Sequence, residues 1–384
     1  MYKITLIGDK NIVVHNAGGS APKVIDGTLE EEINAVPSLK FQIYATNPGY
    51  GNVIDLDTRV QLYNLRTGEE EFYGRVLQSP ATQDSDGKIY QEITCEGELA
   101  YLRDTVQAQD RTSGELSTNI FASIISNHND VVGSTDARRL TLGSCPLAGL
   151  PVAVDTGYST SLDVLSQFAE AFGWEYRARR EGDTVYIDIA EAFGEKSKTE
   201  IRVRKNLVSM QVKRETSQLV TRLYPFGAVI SGGNGKRLTV APSGQTSGAI
   251  YIDNADLIKK YGVYAAVKIF DDIRSSGGST IGSDSTKLYR RAKAYMDSLT
   301  GAQNQYEISA LDIVGGGTSL DYYHIYNTYH VSNRLLDVGE DLRITGRTLK
   351  ISEEWLSTLR FGDKPLTVSE AFVENSRKKK IFVN

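Results

Sequence analysis

Hydrophobic alternation runs up to Val220-Thr-Arg-Leu-Tyr-Pro-Phe-Gly227 and does not return at comparable quality until Tyr306, about eighty residues further on. Pro225 brings no ladder donor and Gly227 no side chain to pack, so together they read as the end of a strand. A strand pattern that stops, yields to other material and resumes predicts one folded unit interrupted by another. At 384 residues the chain is also too long for one ordinary core, and about two to four domains are expected. This organisation points away from a single catalytic core and toward a part of a larger assembly.

Composition removes several function classes. A formal charge of -5 over this length gives no support to a nucleic-acid surface. The basic run Arg377-Lys378-Lys379-Lys380 reads as a solvated tail. Cys95 and Cys145 are the only cysteines, which excludes a disulfide-dense scaffold and any Cys-x-x-Cys metal spacing. The N-terminus lacks a signal-peptide pattern and no apolar run is long enough to span a bilayer, so synthesis in the cytosol is expected. Four histidines leave little material for acid–base or metal chemistry, whereas 21 tyrosines suit sheet faces and subunit interfaces.

From Met1 to about Asp104 the pattern is all-β. Leu39, Phe41, Ile43 and Ala45 share one face of a strand, and the glycines of Asn47-Pro-Gly-Tyr-Gly-Asn supply the following turn. Arg59–Asn64 and Glu71–Leu77 flank a Thr67-Gly68 turn, and Asp84-Ser-Asp-Gly precedes a strand from Ile89 to Cys95. Helical spacing then takes over at Leu116, Ile120, Phe121, Ile124 and Ile125, with Asn127 to Asp130 breaking it. A second helix is capped by Ser159, Thr160 or Ser161, faces Leu162, Leu165, Phe168, Ala169 and Phe172 inward, and stops at Gly173. A hairpin follows around Glu181-Gly182-Asp183, on which Arg177, Arg179 and Arg180 read as charges protecting a solvated edge strand. Strands resume at Ile201–Arg204, Leu207–Glu215 and Leu219–Tyr224. Asn254 caps a short helix, Val263–Phe270 reads as a strand, and Leu288, Ala292, Tyr295, Met296 and Leu299 form the face of a longer helix. Strands return at Tyr306–Ile313, Tyr323–Val331, Gly339–Arg347 and Leu349–Ser352.

No constellation of catalytic residues emerges from this pass. Cys145, in Gly143-Ser-Cys-Pro, has no helix N-terminus behind it, and nothing places His128 beside it. His324 and His330 on one continuous strand would lie some 20 Å apart, too far to share a metal, and Asp321 is an unconvincing third ligand. Asp55, Asp57, Asp271 and Asp272 read as charged turns, and Ser231-Gly-Gly-Asn-Gly-Lys lacks the context of a phosphate loop. No catalytic, cofactor-binding or metal-ligating residue is assigned, and no cofactor is expected. Two other classes remain in view, a peptidoglycan hydrolase and a carbohydrate-binding receptor module that would stack sugars on Trp174 and tyrosines. Trp355 fits equally well as the inward residue of a short helix.

Glu71-Phe-Tyr-Gly-Arg-Val, Thr94-Cys-Glu-Gly-Glu-Leu-Ala-Tyr-Leu-Arg-Asp and Val220-Thr-Arg-Leu-Tyr-Pro-Phe-Gly occur in a recognisable order. Tyr251-Ile-Asp-Asn, Phe270-Asp-Asp-Ile and Tyr306-Glu-Ile-Ser-Ala-Leu-Asp extend it over about 300 residues. On these stretches the chain resembles the N-terminal hub region of the siphophage tail-associated lysin or prophage tail endopeptidase family. It is also similar to the trimeric central hub of contractile phage baseplates.

That resemblance implies a multi-domain, mainly β fold with α+β parts. Two related small antiparallel β-barrels are expected, at residues 1–103 and at 200–230 with 304–365. An α+β domain is expected at 104–199, an inserted α/β domain at 231–303 and a C-terminal extension at 366–384. It further implies a homotrimer whose six barrels form a pseudo-hexameric ring joining the distal tail to the tip. The implied partners are the distal tail protein ring, the tape-measure protein and downstream spike or receptor-binding proteins, with DNA only in transit and no stable membrane insertion. The expected location is the distal end of the virion tail, after synthesis in the bacterial cytoplasm. The chain itself is expected not to be an enzyme, any endopeptidase or lysozyme activity belonging to a downstream region.

Overall fold

A computed structural model describes residues 1–108, 111–145, 151–155, 157–172, 174–215, 219–230, 235–270, 273–275, 278–298, 303–310 and 323–362. The described residues form two compact units, 1–212 with 306–362, and 213–305.

The first unit is dominated by a 14-stranded sheet. Its N-terminal half runs in the order Ile25–Glu32, Ser38–Tyr44, Ile89–Gly97, Glu69–Gln78, Arg59–Asn64, Tyr2–Ile7 and Ile12–His15. Its C-terminal half runs outward through Val338–Lys350, Thr358–Phe361, Gln303–Ala310 and Leu207–Glu215. The halves meet where Val338–Lys350 pairs antiparallel with Ile25–Glu32, setting Leu349 opposite Leu29 and Arg347 opposite Glu31.

The alternation read from the sequence explains the N-terminal core. Leu39, Phe41 and Ile43 are buried, joined by Ile4, Leu6, Val60, Leu62, Val76 and Ile93. Leu349 and Ile351, from the far end of the chain, complete the same core. Each fully buried aliphatic side chain contributes roughly 1.5–3 kcal/mol, so this cluster binds the C-terminal strand as firmly as any local one. A second core, around Tyr306, Ile308, Tyr329, Val331, Ile344 and Phe361, lies in the C-terminal half.

Among the described residues no strand ladder closes either half. The strand order ends at Ile12–His15 on one side and Leu207–Glu215 on the other. The expectation of two closed β-barrels is therefore corrected: the fold is mixed α/β, with one large open, curled sheet and smaller open sheets. The reason lies in the edges. The side of Ile25–Glu32 that would close an N-terminal barrel is taken by Val338–Lys350. That 13-residue strand gives its first half to Thr328–Asn333 and its second half to Thr358–Phe361 and Ile25–Glu32. Lys196–Arg202 adds a parallel partner to Thr328–Asn333.

Residues 104–193 form the α+β part of this unit. Helix α1 (Ser117–Val132) and helix α2 (Ser161–Phe172) share a core with a three-stranded sheet of Leu140–Leu142, Thr184–Ala190 and Glu175–Glu181. Thr160 caps α2 by accepting the Asp163 N–H at 3.1 Å. The polar run Asn127–Asp130, read as a helix breaker, lies inside α1, where three of its side chains bond to neighbouring backbone. Asn129 both accepts the Leu140 N–H at 2.9 Å and donates to the Leu140 carbonyl at 2.7 Å.

In the second unit, Arg222–Val229 is the central strand of a four-stranded sheet. It continues through Pro225 and Gly227 instead of ending there. Pro225 is tolerated because it falls between two short antiparallel partners, Ile252–Asp253 and Arg237–Thr239, on a side where the ladder is not continued. The full-length partner is Ala265–Phe270, in parallel register from Arg222↔Ala265 to Gly227↔Phe270. Of residues 219–224, expected to continue the strands before them, 222–224 thus belong to a different sheet from Leu207–Glu215. Helix α3 (Ala255–Tyr261) is capped by Asn254, which accepts the Leu257 N–H at 3.1 Å. Helix α4 (Ile281–Ser298) buries Leu288, Ala292 and Met296 against Leu223, Leu238, Val240 and Phe270.

Candidate functional site

The two N-terminal stretches that carry the family resemblance, 71–76 and 94–104, converge on one charged junction. Gly74 is paired with Gly97, and a Cβ at Gly74 would lie 2.1 Å from the Glu96 carbonyl oxygen, so only glycine fits this crossing. The close approach brings Arg75 alongside Glu96 and the segment that follows it. Arg75, only 6% exposed, donates from Nε to Glu96 Oε1 at 2.8 Å. Its two terminal nitrogens fork onto Asp104 at 2.6 and 2.8 Å, a bidentate geometry that lysine cannot copy. The Tyr101 ring lies 5.3 Å from the same guanidinium, and burial pushes its hydroxyl up to about 12.

Asp104 passes the charge network to Arg138 at 3.1 Å, and Asp136 holds Arg138 at 2.6 Å. Burial works to raise the Asp104 carboxyl, but hydrogen bonds from Arg75 and Arg138 hold it below the usual range. Asp136, bonded by the Arg138 side chain, is lowered to about 2.

A second branch starts at Glu98, which pairs with Arg180 of the α+β part, and the Arg180 guanidinium stacks 3.9 Å from the Tyr73 ring centroid. Burial raises the Glu98 carboxyl while Arg180 opposes it. A third branch is C-terminal. Arg347, 6% exposed, donates from Nε to Glu31 at 2.7 Å and from Nη2 to Glu71 at 2.9 Å. Burial raises Glu31 while Arg347 pulls it down. On the same C-terminal strand as Arg347, Arg343 forks onto Glu175 of the α+β part at 2.5 and 2.7 Å. Between these branches lies a cleft of about 460 Å³, lined by Glu31, Glu70, Glu98, Tyr73, Arg177 and Tyr326 among others.

The chemistry of this junction is cohesive. Each buried carboxylate faces a guanidinium with hydrogen-bonding geometry, the condition under which buried charge is tolerated. The network ties the N-terminal strands, the α+β part and the C-terminal strands of one unit to each other. Sequence reading missed it because its members are up to 316 positions apart. The available signal was the charge inside the two family-like stretches, Glu71, Arg75, Glu96, Glu98 and Asp104. Glu175–Glu181 does end its three-stranded sheet, and Arg177 and Arg179 on it are partly exposed, but the arginines are also engaged: Arg179 pairs with Asp188 at 2.7 Å, Arg177 lies 4.3 Å from the Phe193 ring and Arg180 holds Glu98.

The other candidates are scattered. Trp174 is 4% exposed and edge-on to Phe121 at 6.0 Å, so it is a core residue and not a sugar platform. Trp355 is 55% exposed, not inward. Cys95 is buried and its thiol is pushed up by burial, while Cys145 is half-buried against the α+β core. His128 bonds to Thr105 and to the Arg138 carbonyl. His324 precedes a turn at Tyr326 (φ 79°), so it does not share a strand with His330. His330 lies 3.0 Å from Asp341, which Lys196 also pairs. Asp55 accepts from the Ser79 hydroxyl at 2.6 Å. Asp271, Asp272, Asp321, residues 231–234 and the side chains of Phe168 and Phe172 lie outside the described residues. Among the described residues no cluster of three His, Cys, Asp or Glu side chains is placed to hold a metal.

Comparison with known proteins sets this geometry in context. The model of a family described as "Prophage endopeptidase tail" matches residues 195–371. The expectation that an endopeptidase region would lie only downstream of this chain is thereby corrected, because the match falls within it. No curated protein matches. Among solved structures, the 43 kDa tail protein of prophage MuSo2 from Shewanella oneidensis is similar with TM-score 0.63 and 11% identity, over 94% of this chain and 97% of the other. Prophage tail protein gp18 of Listeria monocytogenes gives 0.55 and 12%, over 98% and 99%. A chain of the Francisella PdpA–VgrG complex gives 0.52 and 11%, over 94% and 58%. The fold is that of these prophage tail proteins.

Proposed function

We propose that this chain is a structural hub of a phage or prophage tail tip. In this reading three copies form a ring with six sheet halves around a central passage, joining the distal tail to the tip. The observation that carries the proposal is the sheet itself: two halves are fused into one open surface whose strand order ends, among the described residues, at Ile12–His15 and at Leu207–Glu215, the latter bridged beyond its ladder only at Leu207 to Val203. Unpaired edges invite pairing with another chain, and a closed ring of subunits removes them. The charged junction supports the same reading, since a ring under load needs each copy held rigid. The likeness of its fold to prophage tail proteins is the context that favours a tail over other assemblies.

The partners in this reading are the distal tail protein ring on one side and spike or receptor-binding proteins on the other, with tape-measure protein and DNA passing through. The place is the distal end of the virion tail. Immunogold labelling of purified tails tests it. Label at the distal tip is expected, and label along the tube or on the capsid would overturn the proposal.

A second reading has one observation in its favour, the match of residues 195–371 to the endopeptidase tail family. That segment contains the His330–Asp341 pair, in which a carboxylate orients an imidazole. In this reading the chain cuts peptide cross-links of the cell wall. Incubation with purified peptidoglycan would release new amino termini, and loss of that release in His330→Ala would tie it to the pair. Wall that stays uncut would remove this reading.

A further inference from the structure

We infer that His128 is an acid-sensitive latch that holds the C-terminal half of α1 against the rest of the α+β part. The side chain is completely buried. Its Nε2 lies 2.8 Å from the Arg138 carbonyl, which can only accept, so Nε2 carries the proton and Nδ1 is the acceptor. The Thr105 hydroxyl, 2.9 Å from Nδ1, must then donate to it. Thr105 Oγ1 in turn accepts from the Ser161 hydroxyl at 2.7 Å, and Ser161 accepts from Gln107 Nε2 at 2.7 Å. One line of donors therefore runs from Gln107 through Ser161 and Thr105 to His128 and on to Arg138. It joins α1, the first residue of α2, the segment after the Glu98–Arg103 turn and the loop before Leu140.

A second proton on His128 would land on Nδ1, facing the proton that Thr105 already points there. The line must then reverse, with Thr105 donating to Ser161. Ser161 then accepts across that 2.7 Å contact, and its own proton is left with the Thr105 carbonyl at 3.3 Å. The imidazolium would also sit without solvent in a fully buried site, a large cost unless paired. Charged groups facing it from neighbouring elements are Asp104, held by Arg75, and the Asp136–Arg138 pair. Both carboxylates already bond guanidinium groups. Burial accordingly lowers the His128 pKa, against the bond to the Arg138 carbonyl and the pull of Asp104. Opening α1 exposes the ring, and acid favours that opening.

Hydrogen exchange on the full-length protein at pH 8 and pH 5, corrected for intrinsic rates, tests the latch. The opening equilibrium of residues 117–132 is expected to rise at pH 5, by at most roughly 30-fold, because an exposed imidazole near pKa 6.5 takes up the proton more readily than the closed form. His128→Gln should make it independent of pH. Should that variant not fold, imidazole nitrogen shifts of the wild-type protein decide: an Nε2–H tautomer titrating below 6.5 supports the latch. An Nδ1–H tautomer, a midpoint at or above 6.5, or the same pH response in His128→Gln would overturn it. Peptides covering Ile12–Val24 report separately on His15.

Discussion

Arg347 Nε donates to Glu31 Oε2 at 2.7 Å, joining side chains that are also direct cross-strand partners 316 positions apart. The two ends of the chain are thus fixed to one another by a backbone ladder and a buried ion pair at the same place. Glu71 also pairs with the guanidinium, so two carboxyl groups share one arginine.

Arg347→Ala removes the guanidinium that Glu31 and Glu71 share, and a loss of about 3–5 kcal/mol is expected in denaturant unfolding. Adding Glu31→Gln and Glu71→Gln should recover part of that loss. A change under about 1 kcal/mol for the single variant would show that the junction contributes little to stability.

Gly74→Ala should cost at least about 2 kcal/mol, because its Cβ would sit 2.1 Å from a backbone oxygen. Gly8→Ala serves as the comparison, since nothing lies within 4 Å of the Cβ it would add. Its effect should stay within about 0.5 kcal/mol. Equal melting temperatures for the two variants would argue against the close strand crossing.

His15 is 6% exposed, and its Nδ1 accepts the Val24 N–H at 3.2 Å. Burial, then the nearby charge of Lys23, lowers its pKa from 6.5 to about 4. Above pH 6.5 both folded and unfolded forms are neutral there, so this group does not change stability. Below 6.5 the unfolded chain takes up the proton first, and stability falls until the folded form also titrates near 4. The total is about 3 kcal/mol. His15→Asn, which keeps an acceptor but does not titrate, should flatten that part of the urea-midpoint profile. An unchanged slope would place the acid sensitivity elsewhere.

The elements themselves were readable where the physics is local. Leu39, Phe41 and Ile43 alternate because one face of their strand is buried, and the caps at Thr160 and Asn254 act where short polar side chains precede apolar spacing. Readings failed where distant chain decided the outcome. Closed barrels were expected because nothing in Ile25–Glu32 announces that its free side belongs to Val338–Lys350. Pro225 looked like a strand end because its gap depends on two separate short partners. Asn127–Asp130 looked like a helix end because the side chains bond to backbone beyond the helix. The charged junction was legible only as an unexplained density of Glu and Arg in the two N-terminal family-like stretches, since pairing between far segments leaves no periodic trace.

Light scattering coupled to size-exclusion chromatography, run across a concentration series, is the most direct measurement of whether the open sheet is one segment of a ring. Three chains per particle at high concentration, dissociating on dilution without unfolding, is the predicted result. A single chain per particle at every concentration, with the sheet intact by circular dichroism, would contradict it.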